Sequence, residues 1–235
     1  MIQKILIVLI SSSLSLAVFS SEMEDDPLLA KVMVAQFETR MTDFSETSAV
    51  LDAQAWLGKD LNKLWLQTDV EFDNDNVGEA EFQALYSRAI ASFWDIQVGW
   101  RTDIRPEPNR NWAVIGLQGL APYWFEIEAN AFIGDDGRTA ARLEAEYEVL
   151  LTQQLILTPD FEVNVYGKDD AATGTGAGVS DLELGLRLRY EIRREFAPYI
   201  GVNWTKKFGQ TAQFARDEGI ASNDLQFVVG IRVWF

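Results

Sequence analysis

The chain has 235 residues, of which 36 are acidic and 20 are basic, so its formal net charge at pH 7 is −16. This acidity argues against a nucleic-acid partner, because contacts to the phosphate backbone depend on Lys and Arg. The sequence contains no Cys and no His, which excludes disulfides, thiolate and imidazole metal sites, and catalytic dyads that need a His.

The first 20 residues are typical of a cleaved signal peptide. Lys4 supplies a positive charge, and two short apolar runs follow it up to Ser20. The apolar stretch is too short for a transmembrane helix, which needs about 20 apolar residues. We therefore predict a signal peptide at 1–20, an acidic periplasmic tail at 21–30, and a single barrel domain at 31–235.

Apolar and polar residues alternate in about a dozen segments of the remaining chain. A β-strand directs successive side chains to opposite faces, so each segment predicts a strand with one apolar face and one polar face. The alternation is clear in residues 64–72, 94–101, 124–131, 142–149, 154–165, 181–193 and 224–235, and less regular in 32–40 and 82–90.

The predicted connections alternate between short turns and long polar loops. Short turns are predicted at 58–60, 90–92, 120–122, 150–151 and 194–196, and long loops at 73–78, 102–111, 134–139, 167–179 and 209–223. This arrangement is typical of outer-membrane proteins. We predict an all-β fold, a transmembrane antiparallel up-and-down β-barrel of about 12 strands in the bacterial outer membrane. The alternative is a water-soluble sandwich or lipocalin-like barrel, but the length of the strands and the aromatic residues at their ends favour a membrane barrel.

The polar faces of the strands carry many charged residues, which we predict to line the lumen. Two interpretations remain open for them. They form a structural lattice of Arg–carboxylate pairs, or they form a path for cations, since rings of carboxylates favour cations. No pair of carboxylates stands out as a catalytic pair, and we do not expect an enzyme. The lumen candidates are Glu126, Glu128, Glu144, Glu146, Glu148, Asp181, Glu183, Arg187, Arg189 and Arg193.

Several segments resemble the copper resistance protein B family of the bacterial outer membrane. They are Leu-Glu-Ala-Glu-Tyr-Glu at 143–148, Val-Tyr-Gly-Lys-Asp-Asp at 165–170, Gly-Ala-Gly-Val-Ser-Asp-Leu-Glu-Leu-Gly-Leu-Arg-Leu-Arg-Tyr at 176–190, and the terminal Trp-Phe at 234–235. The resemblance implies copper resistance or homeostasis, and copper binding. It also implies a periplasmic multicopper oxidase as a partner, whereas the predicted outer-membrane barrel implies contact with outer-membrane lipid and insertion by the barrel assembly machinery.

The segment before and at the start of the predicted barrel departs from the family. Family members commonly carry a Met- and His-rich segment there, whereas residues 21–41 contain only three Met residues and no His. Thioethers suit Cu(I), and carboxylates bind Cu(II) loosely. The metal-ligand candidates are Met23, Met33, Met41, Glu22 and Glu24. In the alternative interpretation, these Met residues are ordinary apolar packing and the barrel is a general small-solute pore or a structural barrel. Copper is the expected ligand, and no organic cofactor is expected.

Overall fold

The chain forms a closed antiparallel β-barrel in the computed structural model, which describes residues 26–42, 46–73 and 76–235. The strands are β1 (Leu29–Thr42), β2 (Glu46–Gly58), β3 (Asn62–Asp73), β4 (Asn76–Ala91), β5 (Trp94–Arg105), β6 (Arg110–Ala121), β7 (Phe125–Gly134), β8 (Thr139–Glu146), β9 (Val149–Leu150), β10 (Leu155–Tyr166), β11 (Gly178–Tyr190), β12 (Phe196–Lys207) and β13 (Asn223–Trp234). The predicted signal peptide and half of the acidic tail lie outside the described residues. The first strand starts two residues before the predicted barrel boundary.

Each strand pairs with its neighbours in chain order, and the barrel closes where β1 pairs with β13. β8 and β9 both pair with β10 and share one position in the wall, so the thirteen described strands make a 12-position barrel. At the closure, the Val32 N–H donates to the Phe235 carbonyl at 3.0 Å, and the Phe235 N–H donates back at 2.8 Å. The last residue of the chain is therefore part of the seam.

The outer surface of the barrel is apolar. On β13, Leu225, Phe227 and Val229 are each more than half exposed, and on β11 Leu184 and Leu186 are about 40% exposed. An apolar surface of this extent is costly in water and fits the hydrocarbon of a bilayer. The alternation predicted for these strands is confirmed, and it is the outer face that carries the apolar residues.

The connections follow the predicted short and long pattern with two differences. The predicted loop at 73–78 is shorter because β3 and β4 extend into it, and the predicted loop at 102–111 is shorter because β5 and β6 extend into it. The predicted loop at 209–223 contains a helix, α1 (Gly209–Asp217), which buries Thr211, Ala212 and Ala215. Among the described residues, no helix combines the length and the apolar composition that crossing a membrane would need.

Close contact between β4 and β5 leads to a first prediction. A Cβ at Gly99 would overlap the Ala84 carbonyl oxygen and lie 2.8 Å from the Leu85 Cα, so β4 and β5 would have to separate. We expect Gly99→Ala to lower the free energy of unfolding by about 1–3 kcal/mol, measured by urea titration of the refolded barrel with tryptophan fluorescence. Gly78→Ala is the matched control, because its Cβ would meet no atom closer than 3.7 Å. Equal stability of the two variants would contradict the tight packing at Gly99.

Candidate ion path in the barrel lumen

The barrel encloses a polar cavity of about 860 Å³ that is lined by residues of nearly every strand. Among the described residues, seventeen carboxylate side chains and only nine Lys or Arg side chains line it. Low-dielectric walls around charges of one sign concentrate the field in the space between them. We therefore expect the cavity to attract cations and repel anions.

Four carboxylates form a row across one wall of the cavity. Glu128 on β7 is directly opposite Glu144 on β8, which is opposite Glu162 on β10, which is opposite Glu183 on β11. Neighbouring strands are about 4.8 Å apart, and directly opposed like charges destabilise a sheet. Water or a cation that reaches such a row relieves this repulsion, and the side chains of Glu144 and Glu162 are 39% and 36% exposed.

Few cations are close to this row. Arg142 lies 3.4 Å from Glu162 and 3.9 Å from Glu144, and both distances are long for an ion pair. Glu183 has a closer partner in Arg40, at 3.0 Å.

A second group of carboxylates faces the row from the other side of the cavity. Asp52 on β2 is directly opposite Asp69 on β3, and Asp69 is opposite Glu81 on β4. Within the part of the chain that the structure describes, neither aspartate has a basic group within 4 Å. Asp52 lies within electrostatic reach of Glu146, Glu128 and Glu162 on the facing wall. These aspartates were not among the predicted lumen residues, although Asp69 was placed on the polar face of its strand.

A buried ion-pair cluster fixes the closure of the barrel. Arg187 on β11 donates two hydrogen bonds to Glu38 on β1, at 2.9 and 2.8 Å. Arg40 donates to Glu38 at 2.8 Å and the Tyr199 hydroxyl donates at 2.9 Å. The side chain of Glu38 is 0% exposed. A buried carboxylate with this many donors is held in place, so this part of the lumen is structural.

A second cluster fills another part of the lumen. Glu81 forms ion pairs with Arg101 at 2.7 Å and with Arg142 at 2.9 Å. The pair with Arg142 connects β4 to β8 across the barrel. Arg101 lies over the Phe132 ring at 4.7 Å. Phe132 packs in an inward-facing apolar cluster with Leu85, Trp112 and Val114. The space left for an ion is therefore on the side of the acidic row.

The predicted lumen residues divide between the arginine–carboxylate ion pairs and the open acidic part of the cavity. Arg187 and Arg189 belong to the ion-pair lattice, the latter through Glu148 at 2.6 Å. Asp181 accepts a hydrogen bond from Asn164 at 2.8 Å. Glu126 lines the cavity at the level of Glu146, its direct cross-strand neighbour, toward the short-turn end.

The placement of Arg193 on the same strand as Arg187 was wrong. β11 ends at Tyr190, and Arg193 is an exposed residue of the following turn. The alternation in the sequence continues through Ile192, after the strand has already ended.

The predicted metal ligands are separated in the structure. Met33 lines the cavity, whereas Met41 is directly opposite Phe227 on the outer face. Met23, Glu22 and Glu24 lie outside the described residues. Among the residues that the structure describes, no group of three or more Asp or Glu side chains is arranged to hold a metal ion.

The connection between β10 and β11 lines the long-loop end of the cavity. Asp170 accepts hydrogen bonds from Arg110 at 2.7 and 3.1 Å, and Arg138 lies 3.2 Å from it. The hydrogen bonds from Arg110 hold the pKa of Asp170 below its usual range. In α1, the Thr211 hydroxyl accepts the Gly176 N–H at 2.8 Å, which attaches the same connection to the helix.

Comparison with known proteins identifies the family and the fold. Residues 28–235 match the family model described as Copper resistance protein B precursor. The chain is 45% identical over 204 residues to "Copper resistance protein B" of Escherichia coli, covering 87% of this chain and 69% of that protein. It is 47% identical over 194 residues to "Copper resistance protein B homolog" of Pseudomonas syringae pv. tomato, covering 82% and 66%. The chain thus spans about two thirds of the length of these relatives.

Two solved structures share the fold. The NanC porin has a TM-score of 0.57 at 11% identity, covering 87% of this chain and 99% of that one. The KdgM porin has a TM-score of 0.53 at 12% identity, covering 88% and 99%. Together with the family match, they confirm the predicted barrel and its location in the outer membrane.

The buried Glu38 cluster generates a stability prediction. We expect Glu38→Gln to lower the free energy of unfolding by about 3 kcal/mol, because it leaves Arg40 and Arg187 without a full counter-charge. The measurement is urea unfolding of the refolded barrel. Glu191→Gln is the control and should cost less than about 1 kcal/mol, since Arg189 keeps Glu148 at 2.6 Å. A loss at Glu38 no larger than at Glu191 would contradict the structural role of the cluster.

The Asp170 contacts generate a pH prediction for the long-loop end. A lowered pKa means that the contacts stabilise the fold above the unfolded pKa of about 3.9 and are lost as the pH falls through the folded value. We expect amide hydrogen exchange in residues 168–178, corrected for its intrinsic pH dependence, to lose protection below about pH 4. Asp170→Asn should show the weaker protection already at pH 7. Protection of the native loop that is constant down to pH 2 would refute this assignment.

Proposed function

We propose that this chain, which belongs to the copper resistance protein B family, serves copper resistance by passing copper ions through the acidic side of its lumen. The role in copper resistance follows from the family. The passage of the ion, and its weak binding on the way, are the proposed steps. The activity is conduction, with no chemical change of the ion and no organic cofactor.

The row of Glu128, Glu144, Glu162 and Glu183 is the observation that carries the proposal. It faces Asp52 and Asp69, and most of these carboxylates lack a short ion pair among the described residues. Carboxylate rings favour cations, and conduction requires binding that is strong enough for entry and weak enough for exit. The opposed carboxylates attract a cation strongly enough for entry. Because they are not arranged as a metal-binding cluster, they hold it weakly enough for exit.

The partners in this proposal follow from the location of the barrel. Outer-membrane lipid contacts the apolar outer face. The barrel assembly machinery inserts the chain, and a periplasmic multicopper oxidase exchanges copper with it at the short-turn end, where both termini of the barrel lie. The assembly machinery as a partner rests on the barrel fold, and the oxidase as a partner rests on the family.

A general small-solute pore is the second candidate. It is favoured by the finding that the described residues contain no preformed cluster of metal-ligating carboxylates. The two candidates differ in charge selectivity, since a general pore would pass small neutral solutes and anions as readily as cations.

Charge selectivity provides the test. In planar bilayers, we expect Glu144→Gln with Glu162→Gln to lower the permeability ratio of potassium to chloride by at least about threefold, because focused charges set the local ion concentration. Copper flux into liposomes that contain a copper-quenched dye should fall with it. Glu195→Gln, an exposed position in the β11–β12 turn, is the matched control and should leave both quantities unchanged.

The outcomes separate the two candidates. A native barrel without cation preference that passes neutral sugars would favour the general pore. A cation preference that survives loss of both glutamates would contradict the role of the acidic row. Correct folding of each variant is checked by heat-modifiable mobility on gels.

A further inference from the structure

A β-bulge in β1 turns Met33 into the lumen. Both pairings of β1 shift register just after Val34. Beyond the bulge, Phe37 and Met41 are on the outer face, and strict alternation would place Met33 there too. Before the bulge, however, Met33 is directly opposite Gln54, a residue of the cavity lining. Bulges commonly re-aim a side chain at functional positions.

The Met33 thioether is one of three groups that surround a cation. The Arg232 guanidinium donates to the Met33 Sδ at 3.7 Å. The same guanidinium lies 3.4 Å from Glu146 and 3.5 Å from Glu148. A positive group is thus held by one soft ligand and two carboxylates, on the short-turn side of the acidic row.

Arg232 is held loosely compared with the other arginines of this part of the lumen. Its hydrogen bonds and ion pairs with described residues are all 3.4 Å or longer, whereas Arg187 approaches Glu38 to 2.8 Å and Arg189 approaches Glu148 to 2.6 Å. The side chain of Arg232 is 23% exposed, against 6% for Arg187 and 7% for Arg189. Long contacts in reach of water contribute little, so Arg232 can leave at small cost.

We propose that Met33, Glu146 and Glu148 form a transit site for Cu(I), and that Arg232 is the resident cation which the metal displaces. The inference deepens the proposed function and rests on it. The thioether is a soft ligand, and it therefore binds Cu(I) in preference to Zn(II). The two carboxylates balance the charge, and the guanidinium moves aside into the water-filled cavity. The copper keeps its oxidation state, and no covalent bond of the protein is made or broken.

Methionine methyl NMR tests the site directly. The chain contains four Met residues, so a refolded barrel labelled with ¹³C-methyl methionine gives few signals, assigned with Met33→Leu and Met41→Leu. Ag(I) serves as a redox-inert probe for Cu(I). We expect the Met33 signal to shift saturably with Ag(I) and not with Zn(II), while the Met41 signal stays in place. Met33→Leu should weaken Ag(I) binding at least about tenfold, since even changes around a ligand cost about 10–100-fold.

Arg232→Gln distinguishes a displaced cation from a merely structural arginine. Removing the competitor should raise the affinity for Ag(I) several-fold, whereas loss of a structural contact would leave it unchanged or lower it. An unmoved Met33 signal, a shift of Met23 alone, or unchanged or weaker binding by Arg232→Gln would each overturn the proposal. Copper flux that depends on Glu144 and Glu162 without a Met33 shift would retain the proposed function and remove only this site.

Discussion

The pairing of arginines with carboxylates inside the barrel is the interaction on which the rest of the structure depends. Strand alternation sends every second residue into the lumen, and in this chain many of those residues are charged. A buried charge is tolerated only with partners, as Glu38 shows with its two arginines and a tyrosine. Charges that remain without short ion pairs therefore mark where water enters.

This division makes the lumen asymmetric. The Glu38 cluster closes the side of β1, β11 and β12, and the Phe132 cluster with Arg101 fills the side of β4 to β7. Between them lies the row that runs through Glu144 and Glu162, whose side chains stay more than a third exposed. The arginines are thus distributed unevenly. They pair with carboxylates in two parts of the lumen, and the third part keeps an excess of carboxylates.

The sequence predicted the wall of the barrel better than its interior. Regular alternation located β11 and β13 and placed Glu144 and Glu183 on the inner face, because period two needs no tertiary information. The bulge in β1 could not be predicted, since one extra residue reverses the faces without a local signal, and this concealed both Glu38 and the orientation of Met33. Helix α1 was missed because it has few apolar residues and is stabilised by contacts of Thr211 with another loop.

Arg232 supplies the positive charge beside Glu146 and Glu148 at the proposed transit site. Two adjacent glutamates beside a thioether would repel each other without a positive group between them. A tightly paired arginine would remove that repulsion but would also exclude a metal ion. A guanidinium at 3.4 to 3.7 Å from Glu146, Glu148 and Met33 neutralises the site while remaining easy to displace. In the proposed transit site, loose pairing is therefore what would allow one arginine to neutralise the two glutamates and to yield to a passing cation.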